Sequence, residues 1–122
     1  MTSTFALIGA LFGAVSVGLG AFGAHGLKGR VDERMIEVWA TAAQYNMTHA
    51  LALIAVAWVA SRSQHVATQV AGWAFVAGIV LFSGSLYAMV LTGQRKLGAI
   101  TPIGGVAFIV GWLALAFAAS KL

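Results

Sequence analysis

The chain has 122 residues, 61% of them hydrophobic, with seven Lys or Arg against three Asp or Glu and a formal net charge of +4. Charged residues make up 8%, against about 25% in soluble domains, and mean hydropathy is +0.94, so composition places the chain in a bilayer and excludes a water-soluble fold. With no Cys there are no disulfides, thiolate metal sites or thiol nucleophiles; the scattered cations form no basic stripe for nucleic acid and suit a membrane lipid surface instead.

Charged side chains are missing from residues 1–27, 38–61, 63–94 and 97–120. A helix crossing a hydrocarbon core of roughly 30 Å needs about 20 apolar residues, and no strand-like alternation is present. The expectation is an all-α, single-domain integral membrane bundle of four transmembrane helices, at about 4–25, 38–61, 70–91 and 102–120 of residues 1–122.

The first helix carries small residues at spacings of three and four: Gly9, Gly13, Ser16, Gly20 and Gly23. In lipid, such stripes let backbones approach closely, so they predict helix packing and homo-oligomer contacts. Gly26 is placed to close this helix in the left-handed conformation, and His25 to sit at the negative end of its dipole. Ala21 and Gly23 also make a tolerable signal-peptide cleavage pattern. However, Met1 to Thr4 lack Lys and Arg and the apolar run is long, so the helix is read as retained.

Asp32 is a good cap for an amphipathic extension that makes the second helix the longest. Thr41, Gln44, Tyr45, Thr48 and His49 form a polar stripe at helical spacing, predicted to face the bundle interior or a wet cavity, since polar groups facing lipid are costly. Trp39 and Trp58 are nineteen residues apart, about 28 Å at helical rise, which matches two interfacial aromatic belts. His49 then lies near mid-membrane, either bonding neighbouring helices or serving a relay. His65 falls in a short loop and is expected to be solvated.

The third helix, with Trp73 near its start, adds Ser83, Ser85 and Tyr87 at depths overlapping the second helix's stripe, so one shared polar cluster is expected; Gly93 should close this helix. In the fourth, Thr101 is expected as N-cap and Pro102 at the first helical position. Gly104, Ala107, Gly111, Ala114 and Ala118 form a second small stripe, and Trp112 should pack inside and find a partner for its indole N–H. Leu at Gly13 or Gly111 is expected to disrupt packing.

Lys28, Arg30, Arg34, Arg95 and Lys96 lie in loops one and three, while Arg62 and Lys121 lie on the opposite side. The positive-inside rule places loops one and three in the cytoplasm and both termini outside. No Walker loop, HExxH, paired carboxylate or nucleophile elbow occurs, and the Gly18–Gly23 string matches a dinucleotide pattern only by letters, inside an apolar helix. No catalytic residue, metal ligand set or cofactor is assigned.

Three readings follow. The leading one is a noncatalytic membrane component that self-associates or binds an unidentified membrane protein or lipid. The second is a proton, ion or small-solute pathway along the second helix's polar face; the third is a membrane enzyme or redox subunit using His25 or His49.

GAFGAHGL at 20–27, TAAQYNMTHALAL at 41–53, FSGSLY at 82–87 and LTGQRKLGAITPIGG at 91–105 resemble the small bacterial membrane proteins of domain-of-unknown-function family 423, to which vertebrate transmembrane protein 256 is similar. The resemblance spans essentially the whole chain and implies a short polytopic protein of the bacterial inner (plasma) membrane. It carries over no activity, cofactor or catalytic residue.

Overall fold

Asp32 starts the longest helix as its sequence predicts: Oδ1 accepts the Met35 N–H at 2.8 Å, and Glu33 in the first turn complements the dipole. In the computed structural model, which describes residues 2–122, four helices follow in chain order. They are α1 (Thr2–His25), α2 (Glu33–Arg62), α3 (Val66–Thr92) and α4 (Thr101–Ala119), the last preceded by a 3₁₀ turn at Arg95–Ala99. Three of them are long and apolar enough to cross a membrane: α1, α3, and α4 together with its 3₁₀ turn. α2, at 30 residues, has the length but a more polar composition.

α1 packs most closely on α2, and α3 on α4; α2 then joins the two hairpins by packing on α3. The main core lies where these pairs meet, with Phe5 from α1, Leu53 and Val56 from α2, Phe75 and Ile79 from α3, and Phe108 from α4. A second cluster of Leu27, Trp39 and Val90 closes the end that carries loops one and three, and Val59, Ala67 and Ala118 close the other.

Helix boundaries depart from the sequence expectations where a side chain has something better to do. α3 begins at Val66 rather than near 70, because His65 Nδ1 accepts the Ala67 N–H at 3.0 Å and its ring packs on Phe117. His65 is therefore a cap and not a merely solvated loop residue. Gly93 is left-handed, with φ of 74°, as expected, whereas Gly26 is not. Phe22 O receives the N–H groups of both Gly26 and Leu27, and the left-handed residue of loop one is Gly29. Thr101 does not cap α4: it is the first helical residue, and its hydroxyl is 2.6 Å from Ser85 Oγ.

α3 contains a π turn at Ile79–Ser83. One extra residue in a turn re-phases the helix that follows. Here the turn seats Ser83 against α2 and brings the Phe82 backbone onto Gly104 of α4.

The tryptophans correct the depth ruler. Trp39 is 2% exposed, lies over Gly23, and donates its indole N–H to Leu19 O at 2.6 Å, so it is a core residue and no interfacial anchor. Trp58 is exposed and carries the Arg62 guanidinium over its ring. Trp112 finds the expected partner but lies on the surface of the bundle rather than inside it.

Candidate functional site

The central turns of α2 hold the other three helices through polar bonds. Ser16 of α1 donates to Ala43 O at 2.6 Å, and Ser83 of α3 donates to Ala42 O at 2.7 Å, so two serines grip successive α2 carbonyls. One turn further on, Asn46 is buried and its amide donates to the Tyr87 hydroxyl at 3.2 Å; among the described residues Asn46 Oδ1 has no partner. One more turn brings His49, which Trp112 of α4 reaches at 3.0 Å.

The two bonds at His49 fix its chemistry. Nδ1 lies 2.7 Å from Tyr45 O, which only accepts, so Nδ1 carries the proton. Nε2 receives the Trp112 indole N–H, which only donates, so Nε2 is unprotonated. The geometry thus requires the neutral Nδ1–H tautomer, because a proton on Nε2 would set two N–H donors against each other. The ring also stacks on Phe108 with centroids 3.6 Å apart. Nε2 thus ties α2 to α4, while Nδ1 is held within α2.

Outside His49, an open groove of about 480 Å³ runs between α2 and α4. Tyr45, Phe82, Phe108 and Trp112 give it aromatic walls, Ile109 an aliphatic one, and Thr48 the polar rim.

The opposite face of α2 is exposed along its whole length. Arg34, Glu37, Thr41, Gln44, Thr48, Leu51, Ala55, Trp58 and Arg62 follow one another at alternating spacings of three and four, and every one is exposed. At roughly 100° per residue this stripe centres about 140° around the helix from the buried Ala42, Asn46, His49, Leu53 and Val56. Among the side-chain hydrogen bonds of the described residues, none uses Thr41, Gln44 or Thr48. The outward faces of α1 (Leu7, Leu11, Val15) and α4 (Ile103, Val106, Val110) are apolar by contrast.

These features sit in a sequence with a defined kinship. The family described as protein of unknown function (DUF423) matches residues 19–105. The chain belongs to this family. It is 50% identical over 118 residues to the UPF0382 membrane protein YwdK of Bacillus subtilis, covering 96% of each chain. To a UPF0382 membrane protein of Staphylococcus aureus it is 49% identical over 117 residues, covering 96% of this chain and 95% of the relative. To one of Staphylococcus saprophyticus it is 47% identical over 118 residues, covering 97% and 98%. No solved structure matches the chain.

In this DUF423 chain the residues expected to form one polar cluster are dispersed. Of the stripe only His49 is buried; Tyr45 and Thr48 line the open groove beside it, and Thr41 and Gln44 are exposed outside that groove. The expectation is corrected: the stripe neither faces the bundle interior nor lines one cavity as a unit. Ser83 and Tyr87 meet α2 at Ala42 and Asn46, while Ser85 pairs with Thr101 instead. His25 is exposed at the end of α1. Since Gly23 packs on Trp39, ten residues before His49, the two histidines are about 15 Å apart in level.

The small stripes resolve residue by residue. Gly9 lies against Ala50 and Leu53, Gly20 is in ordinary contact range of Ala43, and Gly23 sits on Trp39. Gly104 faces the Phe82 backbone and Gly111 the Phe75 ring. Gly13 departs from the expected packing: a Cβ there meets open space.

Asn46 is the functional-looking residue that sequence reasoning passes over. Its signal is a polar residue in register with Trp39, Ala42, Ala43, Ala50 and Leu53, a face of small and large apolar residues that marks the interior.

Proposed function

We propose that this chain is a noncatalytic component of the bacterial inner membrane with four spans, α2 included, that works by docking a protein partner on the outward polar face of α2. The observation that carries the reading is that face itself: Gln44 and Thr48 are exposed, and among the described residues neither side chain has a hydrogen-bond partner. α1 supports their depth. Gly9 packs at Ala50, Ser16 bonds Ala43, and Gly23 packs at Trp39, so the middle of an apolar 24-residue helix is level with residues 44 to 48 of α2. Polar side chains at that depth are stabilised by a partner that accepts and donates hydrogen bonds, which lipid tails cannot do. The cation distribution supports a topology with loops one and three cytoplasmic and both termini outside.

The inward-facing polar groups favour this reading over a pathway or an enzyme. His49 Nε2, Ser16, Ser83 and the Asn46 amide are spent on interhelical bonds, and His49 Nδ1 on a bond within α2. The reading is tested by placing a photoreactive residue at Thr48, at Val15 on the outer face of α1, and at Val106 on the outer face of α4, each in native membranes. A protein adduct is expected from position 48, with lipid adducts alone from 15 and 106. Lipid adducts alone from all three positions would overturn it.

A further inference from the structure

We propose that the partner on α2 is a second copy of the chain, packed α2 to α2 about a two-fold axis along the membrane normal; the inference rests on the docking reading above. The alternating three-and-four spacing from Arg34 to Arg62 is the spacing of a two-helix seam. A straight helix drifts about 20° per heptad against such a pattern. The seam therefore stays in contact over its full length only when two helices wind around each other left-handedly, and two equal 30-residue helices offer matching lengths.

The chemistry of the seam is complementary to itself. Copies inserted by the same topology are parallel, so each seam residue meets the same level of its partner, as a two-fold interface requires. Arg34 and Glu37 are opposite charges in adjacent layers at the loop-one end. Parallel pairing sets Arg34 and Glu37 each opposite its own copy, with each Arg34 one layer diagonal from the partner subunit's Glu37, so two diagonal ion pairs offset the like-charge layers at this end. Arg62 at the other end has no acid beside it in the seam. Gln44, near mid-membrane, has both donors and an acceptor in its amide, so it satisfies an identical amide across the axis. Thr41 and Thr48 flank it with hydroxyls that also donate and accept, and Ala55 lets the backbones approach. Tyr45 borders the seam and the aromatic groove together, which places the groove at the edge of the paired helices.

The chain has no Cys, so single-Cys variants report proximity directly. Thr41→Cys, Gln44→Cys, Thr48→Cys and Ala55→Cys change exposed residues and leave the core untouched. Oxidation in native membranes is expected to give a disulfide-linked dimer from these four, since a two-fold axis brings identical positions within the roughly 4–7 Å Cα separation that a disulfide needs. Val15→Cys and Val106→Cys should give none. A second measurement uses charge. Differently tagged Arg34→Glu and Glu37→Arg copies, expressed together, should form the mixed pair about five-fold more than either self-pair, the upper end of what exposed ion pairs contribute.

Dimer yields from Val15→Cys or Val106→Cys equal to those from the seam would show collision only and overturn the inference. So would equal mixed and self-pairing. A photoadduct at position 48 to a protein of different identity, without seam disulfides, overturns the second copy while leaving the docking face standing. Lipid adducts alone overturn both.

Discussion

Replacing Gly104 by Ala is expected to lower the stability of the bundle by about 2–3 kcal/mol, the upper part of the range for overpacked interiors, whereas Gly13→Ala should leave it unchanged or slightly raised. A methyl at Gly104 overlaps the backbone nitrogen of Phe82 and lies 2.8 Å from its Cα. Backbone within the π turn cannot swing aside as a flexible side chain could. Ser83, the next residue, is pinned to Ala42 O, so pushing Phe82 away also strains the α2–α3 contact. At Gly13 the added methyl meets nothing, and Ala has the better helix propensity. Thermal melting of the two purified variants in one detergent checks this. Equal losses would show that α4 and the π turn are not in the contact described.

Trp39→Ala should cost about 3 kcal/mol, the lower end of the range for core Trp truncations, since hydrocarbon as well as water receives the side chain in this setting. Trp39 is closed in by Gly23 and Phe22 of α1 and by Tyr87 of α3, whose ring centroid lies 4.7 Å from its own. Removing the indole empties the junction of three helices and frees Leu19 O of its second donor. Trp39→Phe keeps most of the packing and loses the indole bond at about 0.6 kcal/mol, the average for interhelical bonds in membranes. The expected order of melting temperatures is therefore wild type, then Phe, then Ala. A neutral Trp39→Ala would instead fit an interfacial anchor.

Trp39, buried against Gly23 where its spacing to Trp58 suggests a belt, shows which kinds of information the sequence carries. Charge gaps locate helices because an unpaired charge in hydrocarbon is costly wherever the neighbours lie, and Asp32 and Gly93 act on backbone within a turn of themselves. Whether a Trp is a belt residue or a core residue depends on a neighbouring helix presenting Gly23, sixteen residues earlier. The polar stripe has the same difficulty in sharper form. Periodicity identifies a face of α2 but not its sign, and the inward side was decided by Ser16 and Ser83 reaching the Ala42 and Ala43 carbonyls from other helices. The π turn that aims Ser83 leaves no local signature in Ile79–Ser83. Trp112 is intermediate: its need for an acceptor was legible, while the acceptor, Nε2 of His49, was not.

In the proposed topology α2 crosses the membrane although it is the most polar of the four helices, and cysteine accessibility at its two ends tests this most directly. Lys28→Cys in loop one and Gln64→Cys in the loop after α2 are both exposed, in a chain with no other Cys. With an impermeant maleimide, Gln64→Cys should label in intact spheroplasts and Lys28→Cys only after lysis. Labelling of both positions from the same side would place α2 on one surface of the bilayer and contradict the account.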